Sequence, residues 1–193
     1  FPMHQSATVG EVAGEKSPYG LPLGVTYPMP EMDGLLAAVA AAQEQWRRAG
    51  PEAWAGVALE TLARINKASF AIANAVMHTT GQAFMMAFQA GGPHAQDRGL
   101  EAVAYAWQEL QRVPVTAVWE KPQGKNEPIR MEKHFKVVPR GVALVIGCCT
   151  FPTWNGYPGL FASLATGNAV VVKPHPAAIL PLAMTVRIAR QVL

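Results

Sequence analysis

The sequence predicts an α/β fold in which a helical layer and a β-hairpin arm precede the start of a parallel sheet. Three observations predict it. Residues 33–114 carry apolar side chains at helical spacing. Residues 115–138 hold two β-branched or alternating runs around a Pro/Gly turn. Residues 139–193 then read strand, helix, strand, helix, the order of a βαβ unit with a buried parallel sheet.

Residues 1–32 hold many Gly and Pro without sustained periodicity and read as an extended arm lying on some other surface. Asp33 is placed to cap a helix running to Gly50, with Leu35, Val39, Ala42 and Trp46 on one face. Pro51 opens the next helix, whose stripe is Trp54, Ala58, Leu62 and Ile65. Its pattern continues through Phe70 and Val76 to Thr79, Thr80 and Gly81. An alanine-rich, methionine-bearing stretch ends at Gly91-Gly92-Pro93. Leu100, Val103, Ala104, Trp107 and Leu110 make a further amphipathic helix, closed by Pro114. The Trp and Met stripes read as core packing rather than as a ligand pocket.

Val115 to Trp119 is one arm of the hairpin, Lys121 to Pro128 its turn region. In the other arm, Phe135 and Val137 alternate with His134 and Lys136. Its weakly buried faces suit it to adding to another chain's sheet. Gly141 to Ile146 and Val170 to Val172 are the strands of a partial Rossmann-like sheet, residues 139–193. The chain starts at Phe1 and stops at Leu193 inside a helical pattern, so both ends read as cuts in a longer sequence. An incomplete sheet has open edges, which favour self-association.

Half of the 193 residues are hydrophobic and 15% are charged, which suits a globular protein. The net charge is only +3, and the longest basic run is Arg47-Arg48, which argues against a nucleic-acid partner. Cys148 and Cys149 are adjacent, and neighbouring cysteines rarely pair. With no secreted cysteine framework and no signal-peptide pattern, a reducing cytoplasm is expected. Gly, Pro or charge interrupts every apolar stretch before the ~20 residues that span a bilayer, so no membrane partner is expected. No metal site is predicted.

In a doubly wound sheet, ligands bind at the carboxyl ends of the strands. The first strand ends at Ile146-Gly147 and runs into Cys148, Cys149, Thr150, Phe151 and Pro152. The second delivers Lys173, Pro174, His175 and Pro176. Lys173 follows three valines, so its stem leaves a buried strand and its ammonium is aimed into the crevice, where it can meet a ribose or phosphate. Gly167-Asn168 makes the tight turn before that strand. The plain alternative is that Lys173 merely ends a strand and that His175 is a solvated loop histidine. Neither a G-x-G-x-x-G nor a Walker-type loop is present.

The ordered set Pro139-Arg140-Gly141-Val142, Phe151-Pro152 and Ala165-Thr166-Gly167-Asn168-Ala169-Val170-Val171-Val172-Lys173-Pro174 resembles the aldehyde dehydrogenase superfamily pattern P-x-G-V, N-F-P, A-x-G-N-x-V-V-x-K-P. Trp46-Arg47 and Thr80-Gly81 agree upstream. The stretch Cys148 to Pro158 is most similar to the aldehyde-dehydrogenase-like proteins of bacterial phenylacetic acid catabolism.

The resemblance implies an NAD- or NADP-dependent oxidation of a small aldehyde to an acid through a cysteine thiohemiacetal. The nucleophilic cysteine and the assisting glutamate match positions beyond Leu193, so this chain alone is expected to be inactive. Ile146, Gly147, Cys148 and Cys149 are implied to line the cofactor, with a buried apolar role favoured for the two thiols over a reactive one. Thr150 takes the place of the asparagine that donates to the oxyanion. Losing such a donor costs ~10²–10³ in rate, so a backbone amide or a special substrate is implied. Lys173 matches the lysine that contacts the adenosine ribose. Pro176 replaces a glutamate that grips the ribose hydroxyls in many NAD-preferring members, so a 2′-phosphate is not repelled. With Lys173 and His175 nearby, NADP is expected to be accepted at least as well as NAD. The hairpin resembles the family's oligomerisation arm, implying a homo-oligomer. Two other readings stand beside this one: a cofactor-binding scaffold without dehydrogenase activity, and a small thiol enzyme using Cys148 or Cys149.

Overall fold

A computed structural model describes all residues from Phe1 to Leu193. Two short strands, β1 (Thr8–Val12) and β2 (Tyr27–Pro30), pair antiparallel. Five helices follow: α1 (Met32–Ala49), α2 (Pro51–Lys67), α3 (Ser69–Thr80), α4 (Phe84–Gly91) and α5 (Pro93–Leu110). The antiparallel pair β3 (Thr116–Gln123) and β4 (Asn126–His134) comes next. Last come β5 (Val142–Ile146), α6 (Pro152–Ala165), β6 (Ala169–Lys173) and α7 (Leu180–Ala189).

The amino-terminal arm is less featureless than its composition suggests. It holds a strand pair, and it lies on its own chain, with Glu15, Ser17 and Tyr27 buried. The cap of α1 is Glu31, not Asp33: its carboxylate accepts from the amides of Asp33 at 2.8 Å and Gly34 at 2.7 Å. These bonds hold the Glu31 carboxyl below the usual carboxylate range. Asp33 sits inside the first turn, where negative charge also suits the helix dipole. Along α1, Leu35 is buried as expected, but Gln43 and not its apolar neighbour Ala42 takes the inward position.

The α2 stripe of Trp54, Ala58, Leu62 and Ile65 is fully in the core. The helix does not run on to Gly81. It breaks at Ala68, and α3 ends at Gly81 in the left-handed conformation. Phe70 is 66% exposed, stacked on Phe88 with ring centroids 4.9 Å apart. Met85 and Met86 are exposed too, so the methionine stripe is surface rather than core.

On α5 the buried stripe is Ala95, Gly99, Val103 and Ala106, while Leu100, Ala104 and Trp107 face outward. Size decides this. A Cβ on Gly99 would lie 2.8 Å from Leu62 Cδ2 and 2.9 Å from Phe161 Cδ2, so α5 packs closer than bulky side chains permit.

The β3–β4 turn is tighter than the sequence suggests, with Gly124 at φ 65° and the ladder reaching Gln123 and Asn126. Phe135 and Val137 lie beyond the end of β4. β5 and β6 pair in parallel around the α6 crossover, in register from Val142–Ala169 to Ile146–Lys173. One face turns Val145, Val170 and Val172 into the same core cluster as Leu160, Phe161 and Leu164 of α6 and Ala58, Leu62 and Ile65 of α2. The other face is open: Val142, Leu144 and Ile146 are 43%, 63% and 67% exposed. The expectation of a sheet buried on both faces therefore holds for one face of this chain. No helix is long and apolar enough to cross a membrane.

Candidate functional site at the ends of β5 and β6

The parallel register brings the two strand ends to one rim. Ile146 pairs with Lys173, and the Gly147 amide donates to the Lys173 carbonyl at 2.8 Å. A Cβ on Gly147 would lie 2.7 Å from Leu182 Cδ1 and 3.3 Å from Pro174 Cα. Glycine is what lets the two strand-end loops and α7 close on one another. Ile146 and Lys173 share the open face of the sheet, since Val172 turns to the core.

The loop after β5 is held from three sides. Cys148 and Cys149 are free thiols, both half-buried, so the expected buried apolar role fits them only in part. Asn155, on the first turns of α6, donates from Nδ2 to Cys148 Sγ at 3.0 Å. That contact ties the loop to α6, where the sequence offered no role for Asn155. Thr150 is exposed, and its carbonyl accepts from Nε2 of Gln82. The other amide atom of Gln82, Oε1, is buried without a partner. Pro152 then opens α6, and Thr153 donates its hydroxyl to Gly91 O at 2.9 Å, tying α6 to α4.

Beyond β6, Lys173 is exposed and forms no ion pair. His175 closes its own turn: the Ala177 amide donates to Nδ1 at 3.1 Å, and the Ala178 amide to the His175 carbonyl at 2.9 Å. With Nδ1 accepting, the proton of the neutral ring sits on Nε2. Pro176 is exposed at the tip of this turn.

Residues 146–151 and 173–178 include no carboxylate. An exposed ammonium, an imidazole N–H and an exposed isoleucine at the two strand ends are groups that can meet a ribose or phosphate and the flat ring attached to it. Lys173 and His175 are the groups at these strand ends that could hold a phosphate or a ribose. Sequence reading found these groups but missed Glu15, Gln43, Gln82 and Asn155. Each is a polar side chain that captures a group distant in sequence or in another element, and no local pattern announces that.

Residues 29–193 match the model of the aldehyde dehydrogenase family. Among solved structures, an NAD-dependent aldehyde dehydrogenase from Burkholderia multivorans is similar over 100% of this chain and 35% of its own, with 69% identity and a TM-score of 0.97. An aldehyde dehydrogenase from Bartonella henselae matches 96% of this chain and 37% of its own at 17% identity, TM-score 0.73. A 1-pyrroline-5-carboxylate dehydrogenase variant from Thermus thermophilus matches 96% of this chain and 34% of its own at 18% identity, TM-score 0.74. The last two share the fold. No curated protein matches. The chain spans 34–37% of the length of these relatives.

Proposed function

This chain belongs to the aldehyde dehydrogenase family, and from that premise we propose that it forms the first part of the cofactor-binding domain of an NAD(P)-linked aldehyde dehydrogenase. The observation that carries the reading is the Ile146–Lys173 register, which sets the loop of Thr150 and the ammonium of Lys173 at one rim. On this reading residues 1–32 are an arm, 33–114 the helical layer, 115–138 an oligomerisation hairpin and 139–193 the first βαβα part of a Rossmann-like sheet. The hairpin's exposed strands suit it to pairing with another copy.

The substrate is an aldehyde, oxidised to an acid in the cytoplasm. The resemblance of residues 148–158 to proteins of phenylacetic acid breakdown supports an aromatic-acid pathway. A bound dinucleotide supplies the hydride acceptor. Lys173, with His175, would hold its ribose end, and Ile146, Gly147, Cys148 and Cys149 would line the cofactor. Thr150 is the oxyanion donor, through its hydroxyl or through a backbone amide of its loop. Gln82 and Asn155 keep that loop in place. NAD is supported by the 69% identical relative, which is named NAD-dependent. Pro176 puts no carboxylate beside Lys173 to repel a 2′-phosphate, so NADP is accepted at least as well.

Turnover by the full-length protein of a panel of aromatic and aliphatic aldehydes, with NAD and with NADP, tests this. Aldehyde-dependent reduction of both cofactors is expected. Clear NAD preference removes the NADP assignment. Cofactor binding without turnover favours the scaffold reading, which Thr150 in the asparagine position supports.

A further inference from the structure

We propose that the arm from Glu15 to Tyr27 is a brace that sets both strand-end loops, with Glu15 and Tyr19 as positioning residues for the dinucleotide side and the oxyanion side respectively. The inference rests on the functional reading above. The arm lies ahead of the family-matched segment, which begins at residue 29.

Glu15 is a buried carboxylate, 7% exposed. Its Oε1 accepts from the amides of Ile179 and Leu180, the latter at 3.0 Å, and its Oε2 accepts from the Tyr27 hydroxyl. The amides at a helix start have no partner within the helix, and the helix dipole there favours negative charge. Glu15 thus caps α7 from a distant part of the chain. Ile179 and Leu180 directly follow the His175–Ala178 bridge, so the same carboxylate anchors the turn that carries His175 and Pro176 next to Lys173.

Four residues on, the arm holds the other loop. The Tyr19 hydroxyl donates to the carbonyls of Gly81 at 3.1 Å and Gln82 at 2.9 Å. Ser17 Oγ lies 3.2 Å from His78 Nδ1, and the Tyr19 ring stands edge-on to His78 at 5.9 Å. Pro18 sits against Gly81. From the corner so fixed, the Gln82 side chain reaches the Thr150 carbonyl. The alignment is specific: one end of a short segment grips the residues after β6, and the other grips the residue that grips Thr150. The arm thus holds the residues after β6 directly and the Thr150 loop through Gln82.

The two ends are therefore separable in a way that general destabilisation is not. In the full-length protein, Glu15→Ala is expected to raise the NAD dissociation constant and KM by about tenfold with kcat within roughly threefold, and Glu15→Gln to restore most of the loss because it keeps an acceptor. Tyr19→Phe is expected to lower kcat by about tenfold while NAD affinity stays within roughly twofold. Hydrogen exchange should quicken at residues 175–180 and not at 147–151 in the first variant, and at residues 81–83 and 147–151 and not at 175–180 in the second. If Glu15→Ala does not fold, Tyr19→Phe carries the test alone, through kcat at unchanged NAD affinity and through exchange at residues 147–151. Exchange that is unchanged in both loops, or raised evenly across the chain, overturns the brace, as does a parallel fall of affinity and kcat in both variants. Wild-type protein that neither binds NAD nor turns over aldehydes sinks the functional reading instead, and the exchange pattern still decides the brace.

Discussion

Gln43 holds the turn into β6 from both sides: its Nε2 donates to the Gly167 carbonyl at 2.9 Å, and its Oε1 accepts from the Ala169 amide. Around the same turn, Asn168 Oδ1 accepts from the Gly141 amide at 3.0 Å, which joins the starts of β5 and β6. The register that places Lys173 beside Ile146 is thus set at the far end of the strands. Gln43→Ala leaves the buried Gly167 carbonyl and the part-buried Ala169 amide unpaired, and is expected to cost about 1–3 kcal/mol. Urea unfolding read by circular dichroism measures it, with an unchanged midpoint as the contrary result.

Gly167 has no tolerated substitute. Its φ is 78°, and a Cβ would lie 2.4 Å from Trp54 Cζ2 and 2.6 Å from Pro139 Cγ. Gly167→Ala is expected to destabilise by more than about 3 kcal/mol, because both the backbone conformation and a rigid ring oppose it. Soluble yield and thermal melting of the variant check this.

The α5–α6 contact gives a paired comparison. Gly99→Ala drives a methyl into Leu62 and Phe161 and should cost roughly 1–3 kcal/mol. Gly56, inside α2, has nothing within 4 Å of its Cβ position. Gly56→Ala should instead stabilise by roughly 0.5–1 kcal/mol through helix propensity. Melting temperatures that move in opposite directions are the expected outcome, and a shared direction contradicts the packing assigned here.

Alkaline pH should weaken the fold through buried phenols. Burial pushes the Tyr157 phenol above its ordinary range, against a smaller opposite effect of its bond with Thr185. Below pH ~10 the phenol is protonated in both the native and the unfolded chain. Above it the unfolded chain gives up a proton that the native chain keeps, so stability falls by about 1.4 kcal/mol per pH unit per such group until the folded value is reached. Tyr27, raised by burial and by Glu15, acts with the same sign. Denaturant melts between pH 9 and about 11 should show this slope, and Tyr157→Phe should flatten it.

The parts of this fold legible in the sequence are those set by local periodicity. Trp54, Ala58, Leu62 and Ile65 declare the α2 stripe, and three valines before Lys173 declare β6. Where size governs, hydrophobicity misleads: Gly99 and Ala95 pack inward while Leu100 and Trp107 face out. Where a polar side chain serves a backbone group elsewhere in the chain, nothing local signals it. Gln43 reaches Gly167, Gln82 reaches Thr150, and Glu15 reaches Leu180. The rim residues Ile146, Gly147, Thr150 and Lys173 were readable because a βαβ unit defines its own carboxyl edge. The side chains that hold them there were not.

Titration of NAD and NADP into the full-length protein and its Lys173→Ala variant decides whether the ends of β5 and β6 seat a dinucleotide. Both dinucleotides should bind the wild type, and the variant should bind each at least about tenfold more weakly, as expected for loss of a charged hydrogen bond. Equal affinity in the two proteins, or no binding to the wild type, would contradict a dinucleotide seat at the ends of β5 and β6.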